Sequence, residues 1–148
     1  MLTLTMLNQA VSQTIVAALS ETAFHDVKVF GGDAAAERPY IKVLLSSASS
    51  SRYNTTCRER TLTYKVFFYA RNPEQFDIEN LEMQDILERT LFGGLAVEGV
   101  HIPVQTVLSK IEETVLTCSF ELIMIEVMPD VDTSEMTEEL QFREVIKE

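Results

Sequence analysis

The chain has 148 residues, 46% of them apolar and 24% charged, the balance of a globular protein rather than a disordered one. Its 12 basic and 23 acidic residues give a net charge of −11, which argues against a primary role on nucleic acid, where basic patches release counterions. No apolar run approaches the ~20 residues that span a bilayer, and the apolar N-terminus lacks the basic start of a signal peptide, so a soluble, cytosolic protein with no membrane partner is expected.

Residues 4–19 read as an amphipathic helix, because Leu4, Leu7, Val11, Ile15, Ala18 and Leu19 recur at spacings of three and four. Val27 to Phe30 reads as a short strand stopped by Gly31-Gly32, and Asp33 to Arg38 as a loop closed by Pro39. Tyr40 to Leu45 is an apolar strand with an interior position. Ser46 to Cys57 is polar and almost without core-forming side chains. Between two strong strands it is either a long hairpin loop, of a length usually functional or disordered, or two strands projecting past the body of a sheet.

The stretch RERTLTYKVFFY, Arg58 to Tyr69, is the central strand. It is β-branched and aromatic without Gly or Pro, and alternation puts Leu62, Tyr64, Val66 and Phe68 on one fully buried face. Thr61, Thr63, Lys65, Phe67 and Tyr69 share the other, buried toward its C-terminal end. A second helix is expected from about Asp77, as N-cap, to Phe92, ended by Gly93-Gly94. Met83, Ile86, Leu87 and Leu91 cover one arc, while Ile78, Leu81 and Phe92 form a second apolar stripe that a single-faced helix does not need. Leu95 to Ile102 reads as a small hairpin turning at Glu98-Gly99. Val104 to Ile111 and Val115 to Val127 read as strands joined at Glu112-Glu113, the last ended by Met128-Pro129. The result is an α+β domain over 1–128: a mainly antiparallel sheet, two helices packed on one face, a long projecting hairpin, then an extended acidic C-terminal tail over 129–148.

The motifs that carry chemistry are missing. His25 and His101 are the only histidines, and His25-Asp26 alone has no specificity. Cys57 and Cys118 form no CxxC pair and read as free thiols. The Gly-Gly pairs belong to no phosphate-cradling pattern, and Ser49-Ser50-Ser51 lacks a nucleophile-elbow context. No enzyme, cofactor or metal site is expected.

LNQAVSQTIVAAL, RPYIKVLLSSASSSR, YKVFFYARNPEQFD, a helix ending LERTLF and the hairpin around Val97-Glu98-Gly99-Val100 together resemble the tail terminator (tail completion) proteins of tailed bacteriophages and of contractile, PBSX-like prophages. The likeness spans about residues 6–128. Family members often carry Asp-Gly where this chain has Glu98-Gly99 and Glu112-Glu113. The resemblance implies a non-enzymatic assembly protein, made in the host cytoplasm and placed at the head-proximal end of the virion tail. Such proteins form a ring, typically hexameric, on a completed tail tube, stop its polymerisation and offer a surface to the head connector or the last sheath ring. DNA passes through incidentally. A head–tail connector or adaptor of the same assembly, a small-ligand binding module and an enzyme are the alternatives.

Three surfaces are expected to serve assembly. Ile78, Leu81 and Phe92 are assigned to a subunit contact. The tail's acids repel and its apolar residues are too few to build a core, so Met136, Leu140, Phe142 and Ile146 are expected to anchor on a neighbour. The segment from Ser46 to Arg60 is net positive, with Arg52, Arg58 and Arg60 against Glu59. With Tyr53 as aromatic contact it is assigned to docking on the axial partner, whose surface would offset the cost of ordering a long loop.

Overall fold

The structure is a computed structural model that describes residues 2–31 and 37–128. Its elements run α1 (Leu4–Leu19), β1 (Lys28–Gly31), β2 (Tyr40–Arg52), β3 (Cys57–Tyr69), α2 (Asp77–Phe92), β4 (Leu95–Val97), β5 (Val100–Ile102), β6 (Val107–Glu112) and β7 (Val115–Val127). Five strands form one sheet in the order β1-β2-β3-β7-β6. All neighbours are antiparallel except β1 and β2, which run parallel. β4 and β5 make a separate hairpin. This is an α+β architecture with β3 at its centre.

Alternation decides the faces. Leu62, Tyr64, Val66 and Phe68 of β3 lie opposite Leu122, Phe120, Cys118 and Leu116 of β7, and all are buried. Onto that face α1 brings Leu7, Val11, Ile15 and Leu19, and α2 brings Met83, Leu87 and Leu91, in one continuous core. The β4–β5 hairpin adds Leu95, Val97 and Ile102. A polar contact joins α1 to β3 within this core: the Tyr64 hydroxyl donates to Asn8 Oδ1 at 2.7 Å. Burial pushes the Tyr64 hydroxyl up to about 12, against a smaller opposing pull from Arg60.

Among the described residues no second layer covers the opposite face. Phe67 and Tyr69 are half-buried there, covered by cations and rings instead. Tyr69 stacks on Tyr40 at 4.3 Å between centroids, Lys42 sits over Phe67 at 5.2 Å, and Arg38 lies over Tyr69 at 5.6 Å. Arg38 also donates to the Ala70 carbonyl and to Thr114 Oγ1, which ties the start of β2 to the β6–β7 turn.

Several boundaries differ from the sequence reading. The first strand is shifted by one residue and includes Gly31. Thr3, not predicted, caps α1 by accepting from the Met6 amide at 3.1 Å. Phe76 occupies the cap position of α2 with no side-chain bond, and Asp77 is the first helical residue, where its charge favours the helix dipole. β6 starts at Val107 rather than Val104. Pro103 cannot donate to a ladder, and the chain needs residues 103–106 to travel from the small hairpin to the main sheet.

The turns follow backbone sterics. Glu98 and Gly99 both have positive φ, 51° and 78°, as a two-residue hairpin of primed type requires. At the β6–β7 turn it is Glu113, with φ of 57°, that takes the left-handed conformation, one residue past the expected pair's start. Gly94 has φ of 80°, and a Cβ there would meet His101 Nε2 and the Ile102 carbonyl at 2.7 Å, so only glycine closes α2 against β5.

The polar segment takes the second of its two readings, strands projecting past the body of the sheet. β2 runs on to Arg52 and β3 begins at Cys57, so the turn between them is only residues 53–56. Pairing continues from Ser47 opposite Thr63 to Arg52 opposite Arg58, after a bulge in which Ser46 is the extra residue. β7 accompanies β3 over the same length, from Glu121 opposite Thr63 to Val127 opposite Cys57. The three strands make a ribbon beyond the end of β6 and β1. No long loop exists here, and the ladder itself supplies the order that a partner surface was expected to provide.

Candidate assembly surfaces

At the ribbon tip, Asn54 Oδ1 accepts from the amides of Thr56 and Cys57, at 2.9 and 2.7 Å. The Tyr53 and Asn54 amides donate to the Cys57 carbonyl, and Met128 N donates to Thr56 O at 2.8 Å. This Asx-type turn holds Arg52 and Tyr53 outward, with Tyr53 59% exposed.

The three arginines do not share one role. Arg60 is on the helix-facing side of β3 and is buried. Its Nη1 lies 3.2 Å from Glu126 Oε1 and donates to the Leu2 carbonyl at 3.0 Å, while Glu126 Oε2 accepts from the Leu2 amide at 3.0 Å. A buried guanidinium held by a carboxylate and a main-chain carbonyl is structural, so Arg60 leaves the docking set. The reason is long-range: its carboxylate partner arrives from β7. Arg58, half-buried, has Nη2 4.0 Å from the same Glu126 carboxylate. Arg52 is exposed on the same row, opposite Arg58.

On α2 the second stripe faces solvent. Ile78, Leu81 and Phe92 are 71%, 59% and 64% exposed, while Met83, Leu87 and Leu91 on the other arc are fully buried. Met136, Leu140 and Phe142 lie outside the described residues.

Sequence reasoning missed a third surface. On the outer face of β7, Ile123, Ile125 and Val127 are each half exposed or more, as is Leu108 on β6. Together with Pro103, Gln105 and Thr106, Leu108 and Ile123 border a groove of about 370 Å³ on the outer face. The signal was present in LIMIEV, which is apolar at both parities where a one-sided strand alternates.

Both histidines and Cys118 make local contacts within the fold. His25 Nδ1 is 3.2 Å from the Thr22 carbonyl, and His101 Nε2 is 3.0 Å from the Gly93 carbonyl. Cys118 is buried beside Ser109, and burial pushes its thiol up to about 11. Among the described residues no group of three His, Cys, Asp or Glu is placed to hold a metal, and no helix is long and apolar enough to cross a membrane.

A family of phage tail terminator proteins matches residues 7–135, a span that takes in all the elements above except the first turn of α1. The chain belongs to this family of phage tail terminators. No curated protein sequence matches significantly. Two solved structures are similar over most of the chain. One, known by a sequence label alone, is 9% identical with a TM-score of 0.42, over 89% of this chain and all (100%) of its own. The other is a chain of the virion of a native gene transfer agent particle, 10% identical with a TM-score of 0.42, over 78% of this chain and 92% of that one. At that level neither carries an argument about function. Membership of a terminator family gives the chain a structural, tail-completing role in the virion tail, among other phage structural proteins.

Proposed function

We propose that copies of this chain close into a ring, hexameric as the resemblance implies, on the head-proximal end of a tail tube, and that the ring ends tube growth. Assembly takes place in the host cytoplasm, without catalysis. The ring's free side receives the head connector, or the last sheath ring where the tail contracts as in PBSX-like particles. The family match carries this reading. The exposed row Ile78, Leu81, Phe92 supports it, since apolar surface of this kind on a helix already committed to the core marks an interaction site.

Within the ring, the α2 row is assigned to a subunit contact. The ribbon tip, through Arg52 and Tyr53, is assigned to the axial partner, the tube protein. The segment 129–148 anchors on a neighbour through Met136, Leu140 and Phe142. Arg58 lies too close to Glu126 for charge reversal to be a clean test, so the tip is tested by Arg52→Glu with Tyr53→Ala.

The experiment adds purified chain to cognate tail tubes and reads tube length and end rings in electron micrographs. Wild type is expected to cap tubes and stop their growth. Leu81→Asp is expected to keep its circular dichroism while losing the rings. Wild-type protein that leaves tubes uncapped and growing overturns the proposal.

A further inference from the structure

The ribbon has two open edges. β1 accompanies β2 only along Tyr40–Val43, and β6 accompanies β7 only as far as Phe120. Beyond those points, among the described residues, Ser47–Arg52 and Glu121–Val127 have β3 on one side and no strand on the other. The two edges are level: Ser47 and Glu121 both lie opposite Thr63, and Arg52 and Glu126 both lie opposite Arg58. A strand edge presents a row of unpaired N–H and C=O groups, which proteins usually blunt with proline, charge or a bulge. The β7 edge is not blunted in its middle, where Ile123 and Ile125 stand exposed.

The edges also differ in kind. Ser47–Arg52 carries small side chains and one base, with no acid. Glu121–Val127 carries large apolar side chains and two acids, with no base. Pairing β7 with β7 sets bulk on bulk and acid near acid. Pairing β2 with β2 leaves the apolar row uncovered. Only β2 against β7 matches charge with opposite charge and small side chains with large ones, and only this choice uses both edges of every copy. Such a contact is heterologous, the kind that closes a ring or continues as a filament.

We infer that neighbouring copies join by sheet continuation, with Ser47–Arg52 of one copy hydrogen-bonded along Glu121–Val127 of the next. This rests on the ring proposed above and names its seam. Within one copy β2 and β7 both run antiparallel to β3, so they share a direction, and a sheet continued from copy to copy without reversal joins them in parallel. The seam sets Arg52 of one copy at the level of Glu126 of the next, whose carboxylate keeps its own contacts with Arg60 and the Leu2 amide.

Paired cysteines test this. Ser49 and Ile123 both lie opposite Thr61, and a Cys57→Ser background removes the nearest native thiol. Chains carrying Ser49→Cys with Ile123→Cys, and Ser49→Cys with Ile125→Cys to allow for a stagger, are assembled on cognate tubes and mildly oxidised. Electron micrographs and non-reducing gels are then read together. At least one double variant is expected to give a ladder of cross-linked species. The single variants stay monomeric on the gel, and mixed single variants stop at dimers. Rings without cross-links in either double variant overturn the seam and leave the ring reading standing. Cross-linking by Ile123→Cys alone overturns the seam in favour of a symmetric pairing. Absence of rings from wild type overturns both. Ile125→Lys, an exposed change that spares the fold, is expected to abolish rings while circular dichroism stays unchanged.

Discussion

Strands β2, β3 and β7 pass from one environment to another along their length. In the body of the domain their helix-facing side is Ile41, Val43, Val66, Phe68, Leu116 and Cys118, all buried against α1 and α2. In the ribbon the same side turns polar and rests on Arg60, Glu126 and the Leu2 backbone. The body is stabilised by the removal of apolar surface from water. The ribbon is stabilised by its ladder and by the buried Arg60–Glu126 ion pair. A sheet can therefore be carried past its hydrophobic core where a single charge network fixes its middle strand, leaving the outer strands free for other contacts.

This contrast can be broken at either end. Phe68→Ala removes a fully buried ring that meets Phe24 edge-on, with centroids 5.9 Å apart. It is expected to cost about 3–5 kcal/mol, read from denaturant midpoints. Arg60→Met leaves Glu126 and the Leu2 carbonyl without their shared donor and is expected to cost about 2–3 kcal/mol. Adding Glu126→Leu should restore part of that loss, and a double-mutant cycle with no coupling would show that the pair does not hold the ribbon.

Tyr64→Phe tests a polar bond inside the body and is expected to cost about 1 kcal/mol near neutral pH. Its pH signature is sharper. The folded-state pKa of Tyr64 is raised from 10.0 to about 12, so the neutral phenol's contribution is full below pH 10 and is lost as pH climbs through 12. Cys118, raised from 9.0 to about 11, adds a loss that begins one unit lower. Wild-type stability should fall across this alkaline range, and Tyr64→Phe should keep only the Cys118 part. Smallest is Ile125→Ser, on the exposed face of the ribbon, expected to shift stability by less than about 0.5 kcal/mol. A large loss there would show the ribbon's outer face to be covered within the monomer.

The body was legible because it obeys local periods. Alternation at Leu62, Tyr64, Val66 and Phe68 gave the buried face of β3, and three-to-four spacing gave α1 and both arcs of α2. The ribbon was legible only as one of two alternatives, for a physical reason. SSASSS has no intrinsic preference for strand, and Ser46–Arg52 is extended only because β3 lies beside it. Arg60 read as a surface charge because Glu126 is 66 positions away in sequence, and local pattern cannot see a partner at that distance. Val104 is buried without belonging to a strand, so apolarity alone placed the start of β6 too early.

The bulge at Ser46 has a geometric consequence. Leu45 pairs with Tyr64 and Ser47 with Thr63, so deleting Ser46 keeps every pairing and leaves each side chain on its present face. What the deletion removes is the bend, since a bulge coils its strand more tightly than a regular ladder does. In a ring built by head-to-tail contacts, curvature at the joint fixes how many wedges complete the circle. Deletion of Ser46 is therefore expected to give rings of altered circumference or open spirals from subunits of unchanged chemistry. In the ring proposed above, the bore would then follow from one inserted residue.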